Sequence, residues 1–297
     1  MLYFLPYSIK GVLSILLYTV NTILLTLPLL LVSLFKLLIP VHGVVVILDK
    51  ILISIASLWI GINSFNSKLF CKIDWDIRGL EKLEKKEWYL VISNHQSWVD
   101  ILALQTTLNQ KIPLLKFFLK KELIWVPFLG LAWWALDFPF MKRYSKKQLK
   151  EKPHLKNKDL ASTKKACEKF KHTPVSIMNF VEGTRFTQHK NKSQNNHFNH
   201  LLIPKAGGIA FVLGSMGDYL NKIIDVTIVY PDKIPTFWQY ISGRVDKIII
   251  DFDVIPLTDS LTGDYFNDPE YKNRFFVWLN ALWQKKDEKI KTLKVKI

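Results

Sequence analysis

The segment Val91–Asp100 reads VISNHQSWVD. The apolar run Tyr89 to Ile92 predicts a short buried strand, which ends at the polar cluster Ser93, Asn94 and His95. A helix-compatible segment starts near Trp98 and carries Asp100 close to its beginning. A histidine at a strand end, beside an acid in the first helical turn, is where α/β enzymes often keep their chemistry.

Downstream, short Val/Ile-rich runs recur between helical patterns. Val175–Val181, Val226–Tyr230 and Val245–Ile255 read as strands, and Cys71–Arg78 reads as an edge strand. Leu114–Leu119 fits strand or helix equally, and Phe138–Met141 fits a strand. Val99–Thr107, Asp159–Phe170 and Ala206–Leu220 read as helices; Lys146–Lys158 and the asparagine-rich Thr187–Asn199 read as loops. This alternation predicts an α/β domain with a central mixed sheet and flanking helices. Near the C-terminus, Tyr271, Phe275, Phe276, Trp278, Leu279, Leu282 and Trp283 recur at helical spacing before Lys285, Lys286 and Lys289. They predict a helix docked on the core, or an interfacial one.

Upstream, Gly11 to Phe35 carries no formal charge and is bounded by Lys10 and Lys36. Such a run can cross the roughly 30 Å hydrocarbon core as a helix, and Pro28 is tolerated there. A second apolar run, Leu37–Ser67, is interrupted by His42, Asp49 and Lys50. It predicts a return through the membrane or an amphipathic helix in one leaflet. We therefore divide the chain into an N-terminal membrane anchor, a membrane helix or helical hairpin over residues 1–67, and a main domain over 68–297. Basic residues from Lys68 onward place the main domain on the cytoplasmic side.

The 297-residue chain is 49% hydrophobic and 22% charged, with a formal net charge of +16. With an apolar N-terminus, that charge points to anionic lipid rather than nucleic acid. The Trp133/Trp134 segment does not alternate with basic residues as a base-stacking platform would. Cys71 and Cys167 form no metal or redox pattern and read as free thiols.

Two clusters carry chemistry. If His95 ends the strand and Asp100 sits one turn into the helix, Asp100 can turn back to one imidazole nitrogen. The other nitrogen then faces a substrate, as in the base-and-orienter pair of acyl transfer. Ser97 and Asp100 fit a helix capping box equally well. The second cluster is Glu182-Gly183-Thr184-Arg185, after an apolar strand. Gly183 permits a tight turn, Thr184 offers a hydroxyl, Arg185 suits phosphate, and Glu182 suits anchoring the loop or orienting the arginine. Lys120 and Lys121 stand beside the greasy stretch Pro127–Gly130, either charging the mouth of a groove or snorkelling at a membrane. Arg143 and Lys205 extend that field, Asn94 is a supporting position, and Pro231 closes a strand.

Together these blocks resemble the glycerolipid acyltransferase family, the enzymes similar to 1-acyl-glycerol-3-phosphate acyltransferase. NHQSWVD matches the family's first block, KKELIWVPFLG resembles the second, FVEGTR matches the third and VTIVYP resembles the fourth, all in the family's order. The run WWALDFPFMKRYSKKQL resembles the bacterial inner-membrane branch. The resemblance implies transfer of an acyl group from acyl-CoA or acyl-carrier protein to the free hydroxyl of a lysophospholipid. His95 would be the base and Asp100 its orienter; Glu182, Gly183, Thr184 and Arg185, assisted by Lys120 or Lys121, would form the phosphate-binding site, with Gly183 shaping the loop. It implies no cofactor and no metal, membrane phospholipids as neighbours, no nucleic acid, and a bacterial inner-membrane location. Glycerol-3-phosphate acyltransferase, a remodelling enzyme for another lysolipid, a membrane-bound nucleic-acid-binding protein and an inactive scaffold are the alternatives. Thr187–Asn199 departs from the simplest bacterial members, which have only a short linker there, and puts acceptor identity in question.

Overall fold

The computed structural model describes residues 1–141, 170, 173–217 and 219–295. Arg143, Cys167, the loop expected over 146–158 and, apart from Phe170, the helix expected over 159–170 lie outside them.

A six-stranded mixed sheet forms the centre, in spatial order β1 (Asp74–Arg78), β8 (Lys247–Pro256), β7 (Leu220–Val229), β2 (Trp88–Ser93), β6 (Ser176–Phe180) and β3 (Leu115–Phe117). β7, β2, β6 and β3 run parallel, β8 is antiparallel to β7, and β1 is parallel to β8. The ambiguous run Leu114–Leu119 resolves into β3 and the start of β4 (Leu119–Lys120), which pairs with β5 (Phe140–Met141) in a separate ladder.

The period-two alternation of each strand sends side chains to two cores. Leu90 and Ile92 of β2 join one core, against α6 (Ala206–Met216) and the C-terminal helix α8 (Pro269–Val295). Tyr89 and Val91 join the other, with α3 (Val99–Leu108) and the short helix α7 (Phe237–Ile241). Because both faces are covered, the central strands read as continuous apolar runs. Tyr271, Phe275, Leu279 and Trp283 of α8 are buried in the first core, so this helix is docked on the sheet.

Lys286 departs from the expected lysine run. It is 2% exposed, and its ammonium meets Asp225 of β7 at 2.7 Å and donates to the carbonyl of Val226 at 2.7 Å. Asp225 shares the sheet face that α8 covers, two residues from Ile223. Burial pushes the Asp225 carboxyl up and the Lys286 ammonium down, and each group's charge opposes the other's shift.

The segment expected to be a polar loop is structured. It contains α5 (Gln188–Ser193), capped by the Thr187 hydroxyl, which accepts from the Lys190 N–H. Asn191 and Asn196 donate to the carbonyl of Leu201, and Phe198 is buried in the first core. Most of the segment is exposed, as its composition predicts, while Asn191 and Asn196 hold it by satisfying nearby backbone carbonyls.

At the N-terminus, α1 (Tyr7–Leu38) and α2 (His42–Phe70) form a hairpin. Both are long and apolar enough to cross a membrane, and only 17% of each apolar window is buried. α1 continues through Pro28. The hairpin lies along the α/β domain rather than projecting from it. α1 meets the domain near its start, where the Trp238 ring leaves no room for a side chain at Gly11. It meets it again near its end, where Lys36 pairs with Asp137 at 2.6 Å while also holding Asp49 of α2. Gly11 and Lys36 are about 37 Å apart at the α-helical rise. α2 touches the domain between, through Ser64 with Thr106 at 3.0 Å and the Ser57 carbonyl with Asn109 at 3.0 Å. Tyr18 and Asn21 of α1 bond to Ser67 and Asn63 of α2, which locks the helices together.

Candidate active site

The parallel pair β2 and β6 ends in register, Ser93 opposite Phe180. Two loops therefore leave the carboxyl edge of the sheet side by side. One carries Asn94 and His95 and the other carries Glu182 to Arg185.

Asn94 is fully buried. Its amide donates to the Ile228 carbonyl and accepts from the Ile228 N–H, both at 2.9 Å. The side chain thus imitates a strand residue and pins the loop to β7.

Asp100 sits in the first turn of α3 and is 0% exposed. Its Oδ2 lies 2.8 Å from His95 Nδ1 and accepts from the N–H groups of Gln96 at 2.6 Å and Ser97 at 2.9 Å. Its Oδ1 accepts from the Tyr230 hydroxyl at 2.6 Å. Since the carboxylate accepts, Nδ1 carries the ring proton and Nε2 is the nitrogen able to take one. The capping and the base-orienting readings coexist. The Ser97 N–H to Asp100 bond is one half of a capping box, while the Ser97 hydroxyl donates to the Pro235 carbonyl and accepts from the Val99 N–H at 3.2 Å.

The imidazole is stacked on Phe180, with centroids 3.9 Å apart and planes 14° apart, and its side chain is 13% exposed. Phe117 stacks behind Phe180 at 6.2 Å. The ring is thus held by a carboxylate at one nitrogen and an aromatic face.

Glu182 departs from a phosphate-facing position. It is 0% exposed; Oε1 accepts from the His95 N–H at 2.9 Å and Oε2 from the Leu202 N–H at 2.8 Å. Burial pushes its carboxyl up to about 8, against the pull of those two N–H donors. The Glu182 carboxyl group ties the two loops together, and the Phe186 N–H adds a bond to the His95 carbonyl at 2.7 Å. A buried side chain cannot meet a ligand, so the loop-anchoring alternative describes it.

Gly183 has φ +68, and a side chain there would meet the Lys205 side chain at 3.1 to 3.2 Å. Arg185 is exposed and lies over the Trp98 ring at 4.7 Å. Thr184 accepts from Lys190 Nζ at 2.8 Å, and the same ammonium donates to the Arg185 carbonyl at 3.0 Å. Arg185, Lys190 and Lys205 therefore surround one turn, a concentration of positive charge suited to an anion. Lys120 and Lys121 are exposed at the end of β4, on the segment that follows Phe117. Pro231 follows Tyr230 directly at the end of β7.

Sequence reasoning missed Tyr230, Lys190 and Phe180. The fourth block contains Tyr230, but only the sheet order brings β7 beside β2. Among the described residues no three His, Cys, Asp or Glu side chains gather to hold a metal ion.

A cavity of about 370 Å³ lies elsewhere. It is lined by Leu114, Lys116 and Val175, at the amino ends of β3 and β6, and by the hairpin tip. One strand length, roughly 20 Å, separates that edge from His95.

Residues 74–230 match the protein family described as Acyltransferase. The chain is 25% identical over 229 residues to human 1-acyl-sn-glycerol-3-phosphate acyltransferase delta, which covers 73% of this chain and 56% of that protein. It is 27% identical over 178 residues to Arabidopsis thaliana 1-acyl-sn-glycerol-3-phosphate acyltransferase 3, covering 55% of this chain and 44% of that one. Over 216 residues it is 27% identical to Gallus gallus lysocardiolipin acyltransferase 1, covering 68% and 53%. The chain thus spans about half the length of the curated relatives it matches. Thermotoga maritima PlsC, a 1-acyl-sn-glycerophosphate acyltransferase, superposes with a TM-score of 0.48 at 17% identity, covering 92% of this chain and 98% of that one.

Proposed function

The chain belongs to the acyltransferase family, and from that premise we propose that it moves a fatty acyl group from a thioester donor to the free hydroxyl of a lysophospholipid. The acceptor in this reading is 1-acyl-sn-glycerol 3-phosphate, the product is phosphatidic acid, and the donor is acyl-CoA or acyl-carrier protein. The observation that carries it is the buried Asp100 carboxylate at 2.8 Å from His95 Nδ1.

His95 Nε2 takes the proton of the acceptor hydroxyl as its oxygen attacks the thioester carbonyl. Asp100 holds the tautomer and stabilises the imidazolium that forms. The tetrahedral intermediate collapses, the C–S bond breaks, and the imidazolium returns the proton to the departing thiolate. No enzyme nucleophile is needed, because the acceptor supplies its own. Arg185, Lys205 and Lys190 hold the acceptor phosphate, with Lys120 and Lys121 adding positive charge on the side from which an anionic lipid approaches. Gly183 shapes the turn, and Asn94 and Glu182 fix the two loops.

The hairpin holds the site against its substrate. It touches the α/β domain at both ends of a helix longer than the hydrocarbon core, so it cannot cross a bilayer while the domain stays in water. We read it as embedded in one leaflet, with the domain on the cytoplasmic face of a bacterial inner membrane. Each CH₂ of an acyl chain kept in apolar surroundings saves about 0.8 kcal/mol relative to water.

The test is acyl transfer from labelled acyl-CoA by the purified chain in detergent. The acceptors are lysophosphatidic acid, lysophosphatidylglycerol, lysophosphatidylinositol and glycerol-3-phosphate, with the His95→Ala chain in parallel. Transfer to lysophosphatidic acid that vanishes in the variant is expected. Preference for another lysolipid would make this a remodelling enzyme with the same chemistry. Failure with every acceptor, and again with acyl-carrier protein as carrier, would overturn the reading.

A further inference from the structure

Beside the hairpin, a surface exposes several large apolar side chains together. Trp125, Phe128, Leu131 and Trp134 are 84%, 41%, 46% and 43% exposed. They belong to α4 (Leu129–Ala135) and the turn before it. The inner side of the same element is well packed: Ala132 and Ala135 are buried in one cluster with Leu29 of α1 and Leu52 of α2.

The turn is built to push these residues outward. A side chain at Gly130 would stand 2.0 Å from the Ile124 carbonyl oxygen, so only glycine lets the turn close. Phe128 is held at φ +60, a conformation that bulky residues rarely adopt. Strain of this kind persists where the surroundings impose it, and it marks functional segments.

We propose that residues 120–134 form a second lipid-contacting wedge, which dips into the leaflet that holds the hairpin. Three observations identify the occupant as a lipid surface. The wedge packs directly on α1, whose neighbouring Leu27, Leu31 and Leu34 are more than half exposed, so its apolar face continues the hairpin's. Two of its four exposed apolar residues are tryptophans, which settle at the headgroup level. Lys120 and Lys121 stand exposed at its base, where anionic headgroups would answer them. The wedge also begins three residues after Phe117, whose ring backs Phe180 and His95. Its insertion brings the membrane surface to the candidate site. The inference rests on membrane association of the hairpin and not on the chemistry at His95.

The test uses the full chain with Cys71→Ser and Cys167→Ser, carrying one environment-sensitive fluorophore on Trp125→Cys, Leu131→Cys, Leu31→Cys or Ser260→Cys. Leu31 reports the hairpin. Ser260 lies beside Leu261, which belongs to the core on the opposite face of the sheet. The proteins are reconstituted in phosphatidylcholine vesicles, with or without phosphatidylglycerol, containing spin-labelled lipid. The expected result is a blue shift and quenching at 125 and 131 comparable with 31, and neither at 260. Adding Lys120→Gln and Lys121→Gln should reduce quenching at 125 in anionic vesicles and leave it unchanged in neutral ones. Positions 125 and 131 behaving like 260 while 31 is quenched would overturn the wedge. Loss of quenching at 31 as well would overturn it together with the embedded hairpin.

Discussion

Tyr230 and His95 hold the same carboxylate from opposite oxygens: the phenol donates to Asp100 Oδ1 at 2.6 Å, and the imidazole Nδ1 lies 2.8 Å from Oδ2. Tyr230 lies 130 residues further along the chain than Asp100. It reaches the site because β7 is the neighbour of β2. A hydrogen bond to a charged group contributes about 1.5–3 kcal/mol. Tyr230→Phe should therefore lower kcat by roughly tenfold with KM little changed, since it acts on the orientation of His95 rather than on substrate. Steady-state kinetics in detergent would show this, and an unchanged kcat would remove Tyr230 from the positioning apparatus.

Asp100→Asn should be far more damaging. An amide can present N–H to the imidazole and select the wrong tautomer, which costs on the order of 10⁴ in kcat in the comparable triad. Circular dichroism should show a retained fold, while single-turnover transfer falls by that order.

Arg185→Ala should raise KM for a phosphorylated acceptor by roughly ten- to a hundredfold, the loss of one charge-assisted contact. Transfer to a neutral monoacylglycerol should change little. Equal losses with both acceptors would separate Arg185 from headgroup binding.

Glu182 makes stability depend on pH. Its folded-state value of about 8 lies above the ordinary 4.5, so the folded chain keeps a proton that the unfolded chain releases. That stabilising contribution is complete below 4.5 and is lost as pH rises through about 8. Denaturant midpoints measured between about pH 5 and pH 9 should fall with rising pH, and Glu182→Gln should flatten this component. The amide also turns one N–H₂ toward a backbone donor. A general loss of about 1–3 kcal/mol is expected on top.

Lys286→Met should destabilise the fold by about 3–5 kcal/mol, because it leaves Asp225 buried without its partner. Combining it with Asp225→Leu should restore much of the loss, since a well-packed apolar pair replaces two buried charges. Equal destabilisation by the single and double variants would mean that packing around the Lys286 stem, rather than charge, is what matters.

Local patterns in the sequence carried much of the architecture. Tyr89–Ile92, Val175–Val181 and Val226–Tyr230 are short Val/Ile-rich runs that end in polar clusters, and all three are strands of one sheet. The apolar spacing of α8 and the two long N-terminal runs were equally plain, because helix amphipathicity and hydropathy are properties of adjacent residues. Thr187–Asn199 is mostly exposed, as its polarity suggested, but the short helix Gln188–Ser193 and the bonds from Asn191 and Asn196 to the Phe198 and Leu201 carbonyls were not legible in it. Lys286 read only as one of the lysines after the apolar spacing, since nothing near it in sequence announces Asp225.

Local residue patterns were enough to place most strands and helices and the two polar clusters that follow β2 and β6. Spacing also allowed Asp100 to turn back on His95, since only four residues lie between them. Strand order decided the rest. It set the Glu182 loop against the His95 backbone and brought Tyr230 to Asp100. It also laid the hairpin along the domain instead of away from it. These contacts join residues far apart in sequence, and they form only after two faces of the sheet have been buried, which no local pattern records.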